Sequence, residues 1–398
     1  MKLLWMAAAG LVAGNLTAGD WPQWRGPDRN GISTEKVNAV WPAEGPRVLW
    51  RASVGTGFSS LSVSQGRLYT MGNTSNQDTV WCLDANTGKT LWHHSYAAQL
   101  GPQWYEGGPG STPTVDNGRV FTISKWGDVF CFDAATGAVV WQRDLRQDGV
   151  KPNRWGFAGS PLIWSNMVIL NAGSAGIALD RETGHARWSN GTNAAGYASP
   201  TLFDSGGTTC VLIFAAKHVV ALEPASGRER WRQSWETAWD TNNTDPLPYG
   251  DDIFISSFSR GCALLALENG QPRVVYTNAV LHNHLSPGIR QGEYLYAFNG
   301  EAKQETDFRC IHLPTGTLKW TRKDPAFGTL LLADGKLIVL SERGELLLGE
   351  ASPSGFTPLA RAKVLSGVCW ITPALANGLL YVRNAKGDLR CLELAPKP

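Results

Sequence analysis

The chain has 398 residues, 43% hydrophobic and 18% charged, with 36 Lys+Arg against 34 Asp+Glu and a formal net charge of +2. This composition describes a folded, core-forming protein. It gives no electrostatic basis for nucleic acid as a partner. Eighteen Trp and 44 Gly are both high and call for a repeated structural use.

The first residues read MKLLWMAAAGLVAGNLTAGDW. One Lys precedes an apolar run from Leu3 to Ala13, and small residues follow at Thr17, Ala18 and Gly19. That is the layout of a secretory signal peptide over 1–19, too short for a mature membrane span. No Cys lies near the expected cut, so no lipid anchor is expected, and no other stretch approaches a span. The mature protein is expected to be periplasmic or secreted. The segment 20–46, with Trp21-Pro22-Gln23-Trp24-Arg25-Gly26-Pro27, is too rich in Pro and Gly for a helix. It is expected to be an N-terminal arm laid over the side or base of the main folded domain.

Residues 81–92 read WCLDANTGKTLW, and 130–141 read FCFDAATGAVVW. The same pattern recurs at 178–188, 221–231 and 310–320. Its glycines are Gly88, Gly137, Gly184, Gly227 and Gly316, and a Trp follows four places later each time: Trp92, Trp141, Trp188, Trp231 and Trp320. Weaker copies keep Gly270 with Tyr276, and Gly355 without the Trp. Successive glycines lie 39 to 49 residues apart, the period of a repeat architecture.

Each unit reads as four short antiparallel strands. In 111–141, turn signals at Asn117-Gly118, Gly127-Asp128 and Thr136-Gly137 separate four alternating runs. One such sheet cannot bury both faces, whereas sheets stacked around an axis can, with a large ring filling the space between neighbours. The C-terminus stops after a third strand, and the strand-like RVLWRASVG at 47–55 has no predecessors. The two ends complete one unit. Residues 47–398 then divide into eight blades of 44 residues. The predicted fold is all-β: an eight-bladed β-propeller of four-stranded antiparallel blades, the last closed by an N-terminal strand. Seven blades is the fallback.

Seven Cys are present. Cys82, Cys131, Cys310 and Cys391 occupy one recurring position, which other units fill with Ala178, Ala221 and Ala266. A small buried strand position with free thiols is expected there.

The repeat A-x-D-x-x-T-G-x-x-x-W resembles that of pyrroloquinoline-quinone (PQQ)-type propellers. That superfamily includes quinoprotein alcohol dehydrogenases and the BamB propeller of the outer-membrane barrel assembly machinery. The segments DWPQWRGPDRNGIS (20–33), GFAGSPL (156–162), NHLSP (283–287) and KLIVLSERGELLL (336–348) resemble bacterial PQQ-binding-like repeat proteins. The resemblance implies the fold across nearly the whole mature chain. It does not choose between enzyme and scaffold.

In this topology the Thr-Gly turns share one end of the ring, and the long connections 95–110 and 146–158 share the other. That second end should collect Trp104, Tyr105, Glu106, Trp126, Arg154, Trp155, Tyr197, Asn243, Asp245, Asn283, His284, Trp370 and Arg383. Aromatics among a few polar groups suit a small flat ligand or a protein partner. Quinoprotein dehydrogenases carry adjacent cysteines against the quinone, and this chain has none; it also lacks C-x-x-C-H. Glu106, Asn243 and Asp245 are the right types for the calcium of that family, without matching its motif. His282 and His284 would share a strand face, with no third ligand nearby in sequence. The expectation is a ligand- or protein-binding scaffold with no catalytic residues, cofactor or metal. The alternative is a PQQ- and calcium-dependent alcohol or sugar dehydrogenase. A carbohydrate-binding accessory is also compatible with the aromatics.

Overall fold

A computed structural model describes residues 19–302 and 304–396. Apart from Gly19, the leader expected over 1–19 lies outside the described residues. Among the described residues there are eight sheets, and each contains the four antiparallel strands of one blade, consecutive in the chain in seven of them. Blade 1 spans Ser62–Ala97, blade 2 Thr114–Asp144, blade 3 Leu162–Ser189 and blade 4 Thr201–Ser234. Blades 5, 6 and 7 span Leu247–Asn278, Ile289–Arg322 and Gly328–Lys363. Blade 8 combines three C-terminal strands, from Ala374 to Glu393, with the N-terminal strand Val48–Ser53. That strand pairs antiparallel with the last one, Trp50 opposite Cys391 and Ala52 opposite Leu389. The eight-bladed reading and its closure are both present.

The recurring residues have distinct tasks. Asp84 Oδ1 accepts hydrogen bonds from the Asn86 and Thr87 amides and from Thr87 Oγ1. Asp133 and Asp180 repeat the arrangement with Thr136 and Thr183. The carboxylate thus satisfies the turn's amides. Hydrogen bonds from Thr136 hold the Asp133 carboxyl below its usual range. Gly88 is needed twice over. Its φ is +71°, and an added Cβ would lie 2.5 Å from the Trp50 ring of the preceding blade. Gly137, Gly184 and Gly227 meet Trp92, Trp141 and Trp188 in the same way. Each indole also donates to a backbone carbonyl of the next blade: Trp50 to Ala85, Trp92 to Ala134, Trp141 to Arg181 and Trp188 to Pro224. A ring that buries its faces and pairs its N–H is well suited to a repeated interface.

The small recurring position lies opposite each Trp. Cys82, Cys131 and Cys310 face Trp92, Trp141 and Trp320, and Ala178 and Ala221 face Trp188 and Trp231. Blade 5 departs from the expected register: Leu264, not Ala266, faces Tyr276. Its outer hairpin ends in the two-residue turn Asn269-Gly270 between Glu268 and Gln271, so the pairing continues further along the strand. No Thr-Gly turn forms there, and Gly270 has no indole against it. All seven cysteines are buried and unpaired. Burial pushes the Cys131 and Cys310 thiols up to about 12.

The arm corrects the expectation of a strip over the side or base. It enters the central channel. Trp21 is fully buried, and its backbone pairs in both directions with Val63 of the innermost strand of blade 1. The Val115 amide of blade 2 donates to Pro22, and Arg29 donates to the carbonyls of Ser160 and Pro161 before blade 3. Arg25 donates to Gly288 before blade 6. Ile32–Ser33 then runs parallel to the innermost strand of blade 7. The arm leaves beside the first turns of blades 7 and 8, where Lys36 meets Asp334 and Glu35 accepts the Asn377 and Gly378 amides. It therefore plugs the channel from the Thr-Gly end.

Candidate functional site

Above the plug the channel is a blind cup of about 720 Å³, open at the end carrying the long connections. Trp24 of the arm is on its lining, and its Nε1 donates to Asp245 Oδ2 at 2.6 Å. Asp245 Oδ1 accepts the Ser199 amide at 2.7 Å. One carboxylate thus ties the arm to blades 4 and 5. Its charge also acts on two buried guanidiniums, Arg25 and Arg29, which burial brings down to about 10.

Aromatic rings form the walls. Phe58 stacks on Trp370 with centroids 5.6 Å apart and meets the edge of Tyr105 at 5.4 Å. Trp155 lies 5.9 Å from Tyr197, whose hydroxyl accepts the Trp155 amide. Lys125 Nζ donates to Tyr105 Oη from behind the wall, and burial brings its ammonium down to about 8. His284 lies 4.8 Å from Phe258, and its Nδ1 accepts the Ala302 amide. Burial brings this imidazole down to about 4, so it is neutral at ordinary pH with its proton on Nε2.

Two indoles on the cup's lining are strongly exposed, Trp104 at 83% and Trp239 at 66%. Both have left-handed backbone, with φ of +65° and +64°. For a bulky residue this costs about 1–3 kcal/mol, and such strain clusters at binding sites. Arg154 bridges Trp239 and Trp155, its guanidinium 4.9 and 5.2 Å from the two rings.

Of the residues expected at this end, Trp104, Tyr105, Arg154, Trp155, Tyr197, Asn243, Asp245, His284 and Trp370 lie on the cup. Four do not. Trp126 faces a smaller hollow beside Arg146 and Pro152, and its Nε1 donates to Gln99. Glu106 is half-buried outside the lining. Asn283 is fully buried and donates to Ser286 and Phe298. Arg383 is also fully buried, and its guanidinium donates to the carbonyls of Gly55, Gly57, Ser59 and Met71 and to Thr70 Oγ1. It clamps the crossing from the closing strand into blade 1 and so positions Phe58. His282 and His284 lie on a loop rather than a strand, and the His282 ring bonds to Phe258 O. Among the described residues no three His, Cys, Asp or Glu side chains converge as a metal set. Sequence reasoning missed Trp24, Phe58, Trp239 and Phe258 as lining residues. Trp24 was visible as an unusual Trp in the arm, but nothing in its spacing directs it into the channel.

The family described as outer membrane protein assembly factor BamB matches residues 33–103 and 77–322. The chain belongs to this PQQ-like propeller family. The BamB of Shewanella oneidensis is 23% identical over 255 residues, covering 59% of this chain and 62% of that protein. The match therefore spans less than two thirds of the relative. The crystal structure of BamB from Moraxella catarrhalis superposes with a TM-score of 0.65 at 15% identity, over 87% of this chain and 99% of that one. The quinohemoprotein alcohol dehydrogenase of Comamonas testosteroni gives 0.68 at 15% identity, over 97% and 82%. At these identities the likeness is one of fold. No helix among the described residues is long and apolar enough to cross a membrane.

Proposed function

We propose that this protein is a binding scaffold that works outside the cytoplasm and takes its ligand or protein partner at the cup end. The observation that carries this reading is the plugged channel. Its floor is sealed by the arm, while strained, exposed Trp104 and Trp239 border the open end. Large exposed aromatics beside a concave aromatic surface mark interaction sites. The leader-like N-terminal sequence and the BamB family support the location. A photo-crosslinking amino acid at position 104 or 239, compared with one at position 87 on the Thr-Gly end, tests the reading in the native cell. Discrete adducts should form from 104 or 239 and not from 87. Equal labelling from both ends, or none from the cup end, contradicts it.

The dehydrogenase-like fold favours a second reading, a PQQ- and calcium-dependent enzyme. The side chains do not fit that site. Both oxygens of Asp245 already accept hydrogen bonds from the protein, and Glu106 is not on the lining. No adjacent cysteines exist to pack on a quinone. Purified protein given PQQ and Ca²⁺ is expected to retain no quinone absorbance after desalting and to reduce no dye with alcohols or sugars. Retained quinone with turnover would reverse the assignment.

A further inference from the structure

Acidic residues open the third strands of four blades: Asp128, Asp307, Glu345 and Asp388. Each is half-buried and paired with an arginine, respectively Arg146, Arg309, Arg361 and Arg390. Blade 1 differs. Its third strand, Gln77–Asp84, carries Asp78, which is only 1% exposed. Asp78 Oδ1 accepts from Asn73 Nδ2 at 2.7 Å, and Oδ2 has no partner. Asn73 and Tyr96 stand opposite Asp78 on the strands to either side, and Asn73 Oδ1 and Tyr96 Oη are also without partners. A buried carboxylate is ordinarily paired, and one left without a cation is costly. Asp78 lines neither the cup nor the hollow beside Trp126. Its occupant must therefore be small enough to need no cavity, and a proton is.

The groups around Asp78 also hold the connection 98–110, which brings Trp104 and Tyr105 to the cup. Asn73 Nδ2 donates to Ala98 O as well as to Asp78. From blade 2, Trp126 Nε1 donates to Gln99 O, and the buried Lys125 Nζ donates to Gly101 O and Tyr105 Oη. Lys125 has only these neutral acceptors and the rings of Tyr105 and Trp126 against its ammonium. The facing anion that acts on it is Asp78. In a low-dielectric interior that attraction matters more than it would in water. The geometry points to a proton-operated latch: ionised Asp78 holds Lys125 against the connection, and protonated Asp78 releases it and loosens that wall of the cup. Burial raises the Asp78 carboxyl to about 6, with Asn73 and Lys125 opposing the rise and Asp128 adding to it. Lys125, brought down to about 8, is still charged where Asp78 takes its proton. The other titratable groups facing this place are Tyr96 and His94 of the fourth strand, Asp128 with its Arg146, and Tyr105. Burial raises both tyrosines, so they stay neutral, and lowers His94. The effect on the cup rests on the cup being the binding site; the latch itself does not.

Asp78→Asn fixes the neutral state, and hydrogen exchange read by mass spectrometry tests the latch. Comparing the two proteins at one pH cancels the intrinsic pH dependence of exchange and the titration of His94. At about pH 7.5, residues 98–110 should exchange about tenfold faster in Asp78→Asn than in the wild type, and at about pH 5 the two should coincide. The connection 237–246, which carries Trp239, should not differ at either pH. Lys125→Met should loosen 98–110 at both pH values, and adding Asp78→Asn to it should change nothing more. Global stability should move the other way. The folded chain binds the Asp78 proton more tightly than the unfolded chain, so this group favours folding as pH falls through about 6. Asp78→Asn should therefore have the higher urea midpoint at about pH 7.5, with the gap shrinking by about pH 4.5. A faster-exchanging segment in a more stable protein is not what a merely structural residue gives. Three results overturn the latch: equal exchange of 98–110 at pH 7.5, a gap unchanged at pH 5, or an equal change at 237–246. Crosslinking from position 104 in cells held at pH 5 and 7.5 tests the link to binding. Yield should fall about tenfold at pH 5 in the wild type and be low at both in Asp78→Asn. Equal yields at both pH values in the wild type overturn the link. If exchange responds while no crosslinks form at either pH, the latch stands and the cup is not the binding site.

Discussion

Removing residues 387–398 is expected to abolish cooperative unfolding, although it shortens the chain only at its end. The strand Asp388–Glu393 is the middle of the closure. It pairs with Val48–Ser53 on one side and Leu379–Arg383 on the other. Without it the N-terminal strand has no ladder, and Trp50 loses Cys391 opposite it. The ring then opens beside a core cluster that runs from blade 7 through blade 8 into blade 1 and includes Leu389, Cys391, Leu392 and Leu394. An open sheet edge and an apolar blade face are exposed together. The loss should approach the roughly 5–15 kcal/mol that holds a typical domain. Trp50→Ala is the milder form and should cost about 3–5 kcal/mol, as for other buried large aromatics. The exposed pair Arg47–Glu393 spans the same junction and should contribute less than about 1 kcal/mol. Urea denaturation followed by circular dichroism and dye binding reads both effects. A truncated chain that melts with the intact one would mean that the ring does not depend on this blade.

Much of this architecture is legible because the repeat writes it several times. Asp84, Thr87, Gly88 and Trp92 answer one local problem, a turn that caps its own amides and accepts the neighbour's indole. The missing fourth strand is visible as unmatched ends. Blade 5 departs from its expected register because register is set by turn length. A tight Asn269-Gly270 turn extends the pairing without changing the strand's composition. The site is legible only in part. Loop length and residue type locate Trp104, Arg154, Trp155 and Tyr197 at the cup end. They cannot separate Asn283 and Arg383, which turn inward to backbone carbonyls, from His284 and Trp370, which border the cup. That choice is one of side-chain direction within a packed interface, and no periodicity encodes it. The arm is least legible. Its Trp, Arg and Pro residues signal contact, but the partners of Trp21, Trp24 and Arg25 lie at Val63, Asp245 and Gly288, far along the chain.

Deleting residues 20–34 while keeping the closing strand is therefore expected to be severely destabilising, not a trimming of a loose tail. Trp21 is among the largest fully buried side chains, and Gly26 lies directly against its ring. Trp21→Ala alone should cost about 3–5 kcal/mol. The deletion also leaves the carbonyls of Ser160, Pro161 and Gly288 without their guanidinium donors, and Asp245 without Trp24. Unpaired buried acceptors cost about 1–3 kcal/mol each unless water reaches them. Here water can reach some of them, because losing the plug turns the cup into an open channel. The deletion should thus lower the unfolding midpoint by much more than Trp24→Phe, which removes one hydrogen bond and keeps an aromatic ring in place. The two variants differ in what remains functional. Trp24→Phe keeps a sealed floor and should retain ligand affinity within about tenfold, whereas the deletion should lose binding even at temperatures where blades remain folded. A deletion variant with an unchanged midpoint would show that the innermost strands hold the ring without the arm. One that binds normally would show that the floor takes no part in recognition.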